Sequence, residues 1–161
     1  MTKRLFVALI GSLAAAPANA SAPASPPRAA IVSVIEADVA EMIAGINAKD
    51  ISEATKFDAP DLVSMESMRP PSVGATLNSE GLAAAFKYAP HWRLRLIDQT
   101  VDVAKSEDMA VYRSTYHEDS ERDGAAYTHE VNFLAGFARD GDGQWRIHWS
   151  VVCAQSASQK E

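Results

Sequence analysis

Apolar and polar residues alternate strictly along two stretches near the end of the chain. Val131, Phe133, Ala135 and Phe137 fall on one side of the first, and Trp145, Ile147, Trp149, Val151 and Cys153 on one side of the second. Asp140-Gly141-Asp142-Gly143 lies between them, and period-two patterning closed by an Asp-Gly turn predicts a β-hairpin over Tyr127 to Cys153. Earlier the period changes. Ile31, Val34, Ile35, Val39, Met42, Ile43 and Ile46 recur at helical spacing and predict one amphipathic helix of about five turns. Asp50-Ile51-Ser52-Glu53 supplies a capping residue followed by an acid at the third helical position, so a second, short helix begins there. Pro60-Asp61 ends it, and Leu62 to Met65 forms a first short strand. After a connection over Met68 to Leu77, Asn78 or Ser79 caps a third helix that runs through Tyr88 and stops at Pro90.

Everything after Pro90 is strand. Trp92, Leu94 and Leu96 alternate, then the apolar phase moves to Ile97, Val101 and Val103, which predicts a bulge that curls the sheet. Met109 to His117 is the next strand. Helices gathered ahead of a four-stranded meander make an α+β fold, a curled antiparallel sheet packed on three N-terminal helices.

Matching apolar residues across the turns sets the registers. A three-residue loop, Gly141-Asp142-Gly143 with Gly143 left-handed, pairs Phe137 with Ile147, Ala135 with Trp149, Phe133 with Val151 and Val131 with Cys153. The loop at Arg122-Asp123-Gly124 sets His117 against His129, Thr115 against Val131 and Val111 against Ala135. One surface of the sheet then carries Val111, Val131, Phe133, Phe137, Ile147 and Trp149, and must lie on the helices. The other carries Tyr112, Ser114, Tyr116, Asn132, His148 and Ser150. That surface suits a homodimer contact through Tyr112, Tyr116, Asn132 and His148, or simply solvent.

Lys3-Arg4, the apolar run Leu5 to Ala16 and the small-residue site Ala18-Asn19-Ala20 predict a secretory signal peptide over 1–20, cleaved after Ala20. Export to the periplasm or beyond follows. A proline-containing leader over 21–30, one domain over 31–155 and a tail over 156–161 complete the organisation. Removing Lys3 and Arg4 takes the formal charge from −6 to −8. An acidic balance without a basic run argues against nucleic acid and against an anionic membrane surface. Cys153 is the only cysteine, so the chain forms no internal disulfide, and its place in the apolar pattern predicts a buried thiol.

The long first helix, two shorter ones and curled meander resemble the nuclear transport factor 2-like cone. Asp142-Gly143-Gln144-Trp145-Arg146-Ile147 followed by Ser150 is similar to the closing strand of its SnoaL-like, ketosteroid isomerase-like branch. Asp61-Leu62-Val63 with the later Gly74 resembles that branch's first strand and following loop. The resemblance covers residues 31–155 and implies a pocket between helices and concave sheet, usually in a dimer. Members range from isomerases and dehydratases to modules without chemistry. Many carry a His four residues after the closing-strand Trp, where this chain has Trp149 with His148 beside it. The Tyr and paired Asp of the steroid isomerases have no matched positions here.

Proton transfer beside a carbonyl needs a placed carboxylate or His and a donor for the enolate in a dry pocket. Glu66 and His129 are the expected acid–base groups. Arg69 or Arg113 would orient an anionic group, with His117 and Trp149 as further binding residues. Each has a plainer reading: Glu66–Arg69 as an ion pair bracing the Pro70-Pro71 loop, Arg113 as a strand salt bridge, the histidines as a hairpin end, and Trp149 as core. No Gly-rich phosphate loop, HExxH or CxxC occurs, and neither a metal nor a cofactor is expected. Two functions remain open: an exported enzyme or binder for a small apolar or aromatic molecule, and a non-catalytic dimeric module with a filled cone. An apolar cavity of about 300 Å³ or more with convergent polar groups separates them.

Overall fold

The computed structural model describes residues 27–67, 69–122 and 125–154. The expected signal peptide, the leader up to residue 26 and the tail lie outside those residues. Helix α1 (Arg28–Ala48) begins three residues ahead of the periodic run and buries Ile31, Ile35, Val39, Met42 and Ile46 along one stripe. It ends at Lys49, whose left-handed backbone (φ 62°) turns the chain. The Lys49 ammonium donates to the carbonyls of Ile46 (3.2 Å) and Trp92 and lies over the Phe86 ring. A cation at a helix C-terminus opposes the dipole, which suits this end. Helix α2 (Ile51–Ala54) follows, with the Asp50 carboxylate accepting from the Glu53 amide at 3.2 Å. Gly45 lets the two helices meet, since a Cβ there would sit 2.5 Å from the Ala54 nitrogen.

Strand β1 (Asp58–Glu66) is longer than expected and contains Pro60. Its register against the last strand shifts between Asp58 and Val63, so the missing Pro60 N–H falls where the ladder is already broken. A two-residue strand, β2 (Ser72–Val73), lies inside what reads as a plain connection. Helix α3 (Ala75–Tyr88) starts at Gly74 (φ 99°), not at Asn78 or Ser79. The glycine makes the turn that a capping side chain would otherwise have to serve, and Asn78 is left for another partner.

Four strands follow: β3 (Arg93–Val103), β4 (Met109–Arg122), β5 (Ala125–Arg139) and β6 (Trp145–Ala154). They form the expected antiparallel meander, and β1 adds to β6 in parallel, so the sheet is mixed and ordered β2-β1-β6-β5-β4-β3. The expected bulge in β3 lies between Leu96 and Asp98. The β3 edge is tied to α1 by Asn47, whose amide donates to the Leu94 carbonyl (2.9 Å) and accepts from its N–H (2.8 Å). The result is an α+β cone, with the helices and the inner sheet face sharing one apolar core.

Two of the expected registers differ from those observed. Gly143 is left-handed (φ 84°) and Phe137 does pair with Ile147, as the three-residue loop requires. A bulge directly beyond them then sets Gly136 against Trp149, Ala135 against Ser150 and Phe133 against Val152. In the β4–β5 hairpin Arg122 pairs with Ala125, which sets His117 against Glu130, Thr115 against Asn132 and Val111 against Gly136. Each one-residue slip exchanges faces. Tyr112 and Tyr116 are therefore inside, 0 % and 2 % exposed, and cannot form the outward contact expected of them. Ser114 and Ser150 are also buried. Trp149 and Val151 turn outward, and Cys153 is exposed, not buried as expected. Trp149 lies flat across Gly136, where a Cβ would come within 2.0 Å of the indole nitrogen. Its ring and the glycine explain each other.

Candidate functional site

Between α1, α3 and the inner face of the sheet is a cavity of about 610 Å³. Most of its wall is apolar: Ile43 and Ile46 from α1, Leu82 and Ala85 from α3, and Val131 and Phe133 from β5. Strand direction gives it two ends. β5 runs against both β4 and β6, and β1 runs with β6, so β1, β4 and β6 all point the same way. Asp58, the first residue of β1, is at one end beside Ile147. Glu66, the last of β1, is at the other, with Glu118 and Glu121 from the far part of β4.

The notable group is Asp58. Its half-buried carboxyl lines the cavity and accepts from Asn78 Nδ2 at 2.7 Å, and the Asn78 amide lines the same space. Burial pushes its pKa from 3.8 up to about 6, the Asn78 hydrogen bond opposing that rise. Taking a carboxylate out of water penalises the charged form, and one neutral amide does not compensate. A carboxyl in this range can both take and give a proton near neutral pH.

Three further polar features line or back the same space. Ser150 Oγ donates to Ser64 Oγ at 3.2 Å, joining β6 to β1. The Tyr112 hydroxyl donates to Gln99 Oε1 at 3.0 Å, so the Tyr116 hydroxyl, 2.9 Å away, donates to Tyr112. Burial raises the pKa of both phenols and keeps them protonated. Trp92 lines the cavity, and its buried indole N–H has no partner among the described residues.

The residues expected to form the site are divided between the two sheet faces. Glu66 and Arg69 line the cavity, but at its rim and bonded to each other at 3.0 Å. His129 is next to the cavity, its Nε2 3.5 Å from Oε1 of Glu118, which does line it. Arg113 is outside, paired with Asp102 at 2.7 Å. His117 and Trp149 are outside as well, placed there by the two register slips. His148, from the expected dimer face, sits between Asp61 (3.0 Å) and Asp140 (3.1 Å). Asp58, Asn78 and Tyr116 are the functional candidates that patterning overlooked. Asp58 precedes Ala-Pro at a point that reads as the end of a helix, Asn78 reads as a cap, and Tyr116 stands on the wrong face of the expected register. Among the described residues no three His, Cys, Asp or Glu side chains converge as a metal site, and no helix is long and apolar enough to cross a membrane.

No family model matches the chain, and no curated protein matches its sequence. Solved structures do match its shape. A ketosteroid isomerase-like protein from Erwinia carotovora superimposes with a TM-score of 0.66 at 21 % identity, covering 78 % of this chain and 97 % of the other. A nuclear transport factor 2-like protein of unknown function from Pseudomonas putida gives 0.69 at 16 %, covering 81 % and 91 %. A nuclear transport factor 2-like protein with a cystatin-like fold from Novosphingobium aromaticivorans gives 0.67 at 15 %, covering 82 % and 87 %. The order of strands, the curled sheet and these likenesses lead to one conclusion: the chain has the nuclear transport factor 2-like, cystatin-like α+β fold.

Proposed function

We propose that the cone binds a small apolar or aromatic molecule and moves a proton on it, with Asp58 as the acid–base group. The observation that carries this reading is the Asp58 carboxyl, held by Asn78 and opening on a space of about 610 Å³. That volume exceeds the roughly 300 Å³ at which a ligand pocket begins, and a cone filled by its own side chains would not have it. A general acid–base group works best with a pKa near the ambient pH, and Asp58 at about 6 meets that condition. Glu66 and His129, the groups first expected in this role, are each engaged with a charged or polar neighbour. The Erwinia neighbour's description as ketosteroid isomerase-like supports the same class of chemistry. Export through the signal peptide over 1–20, and pairing of two copies across the outer sheet face around Leu134, Trp149 and Val151, complete the proposal.

A melting-temperature screen with steroids, aromatic ketones, lactones and hydrophobic amines tests the binding. Deuterium exchange at the carbon beside the carbonyl of a bound ketone, followed by NMR, tests the chemistry. Ligand-induced stabilisation should survive Asp58→Asn, and exchange should drop by at least about a hundredfold, the usual contribution of a general base. Binding without any dependence of exchange on Asp58 would remove the catalytic assignment. A panel in which nothing binds would remove the pocket as well.

A further inference from the structure

The charges around the cavity are one-sided. Asp58, Glu66, Glu118 and Glu121 line it, and among the described lining residues Arg69 is the one basic side chain. Arg69 does not offer a free cation, since its guanidinium is bonded to Glu66. Arg113 lies outside, so neither arginine is placed to receive an anionic ligand, as was expected of them. His129 faces Glu118 at 3.5 Å and His91 faces Glu121 at 3.8 Å; neither histidine lines the cavity. The acids are also ordered in space. Three stand at the end where β1 and β4 finish, and Asp58 stands alone at the other. Two aromatic side chains, Tyr88 and Trp92, line the cavity as well, and aromatic faces attract cations.

We propose that the ligand is an organic cation, an apolar or aromatic body bearing an amine or quaternary ammonium. Its charged head lies between Glu118 and Glu121, its body between α3 and the sheet, and its far end at Asp58. This rests on the cavity being a ligand site and adds the ligand's charge. A low-dielectric cleft in which one sign of charge predominates focuses its field and concentrates counter-ions, and an anion entering this mouth would meet three carboxylates against the already paired Arg69. The same arrangement orients the molecule, since three carboxyls stand at one end of the space and Asp58 alone at the other.

Three probes of one shape test the charge: 2-naphthylmethylamine, 2-naphthylmethanol and 2-naphthoate, titrated calorimetrically against the full-length protein at low and high salt. The amine should bind about tenfold more tightly than the alcohol, the naphthoate more weakly than either, and salt should weaken the amine alone. The double substitution Glu118→Gln, Glu121→Gln should bring the amine close to the alcohol and leave the alcohol unchanged. A naphthoate that binds as well as the amine, or an amine advantage indifferent to salt, overturns the proposal. Gly81→Trp separates this from the underlying reading. Gly81 lines the cavity and a Cβ there meets nothing within 4 Å, so an indole can be added at this wall to obstruct the space. If Gly81→Trp abolishes binding of three equally tight probes, the pocket stands and the cation fails. If it leaves all binding intact, both fail.

Discussion

Asp58 is stable only in a compromise between solvent and core. Its folded pKa of about 6 lies above the unfolded value of 3.8, so between those values the folded protein keeps a proton that the unfolded chain has lost. Stability contributed by this group therefore falls as pH rises from 3.8 to about 6, and it stays lowered above that range. Asp58→Asn retains an oxygen to accept from Asn78 and removes the charge. It should stabilise the protein by about 1–3 kcal/mol at pH 7 and by almost nothing at pH 3.5, measured by urea denaturation at both values. A variant that gains stability while losing proton transfer would show that function is what keeps the acid there. Asp38 carries a similar burden: burial, and then Glu41, raise it to about 6 despite Lys56. It lies outside the cone cavity, so its neutral substitution should gain stability without touching binding.

At the scale of elements, two junctions hold the cone open. The bulge in β6 turns Trp149 off the inner face and leaves Ser150 and Val152 to line the cavity in its place. An indole kept on the inner face would occupy much of that volume. The second junction is the Asn47 bridge, which carries the α1 end of the roof onto β3, a strand with hydrogen-bonded neighbours on one side only. Asn47→Ala leaves the Leu94 N–H and C=O without these partners. It should cost about 1–3 kcal/mol and speed amide exchange at Leu94 more than at Phe137, as hydrogen-exchange NMR would register. Equal effects at both amides would mean that Asn47 serves the fold as a whole and not the β3 edge.

For the whole molecule, the consequence of the registers is a core that takes in Tyr112, Ser114, Tyr116 and Ser150 beside the apolar residues of β5, and an outside that is partly apolar. Tyr112 and Tyr116 are satisfied inside by each other and by Gln99. Outside, Leu134, Trp149 and Val151 are only half-buried. An apolar area of this kind is unusual on an isolated surface and normal at a subunit contact. Light scattering at micromolar concentration should report two copies, and Trp149→Glu should return single ones with an unchanged far-UV spectrum. A wild-type monomer would show that the curled sheet tolerates this face in water.

Composition and periodicity were enough to determine the order of the elements apart from the two-residue strand β2. Helical spacing from Ile31 to Ile46, the Asp50 cap, the phase change near Ile97 and the Gly143 turn are local, and each is present where expected. The α+β class follows, because amphipathic helices ahead of a curled meander pack their apolar sides on one face of it, and the cone was implied by the family resemblance. Which side of β4 and of β6 beyond Ile147 looks inward was decided by the tertiary structure, whereas the inner face of β5 is the expected one. A bulge beside His148 and a hairpin one residue tighter than the apolar matching favoured each reverse a face, and neither leaves a compositional mark. The cavity was hidden for the same reason. Asp58 and Asn78 are 20 residues apart in sequence and meet only when β1 and α3 pack, so the energy that raises the carboxyl's pKa does not exist in the unfolded chain.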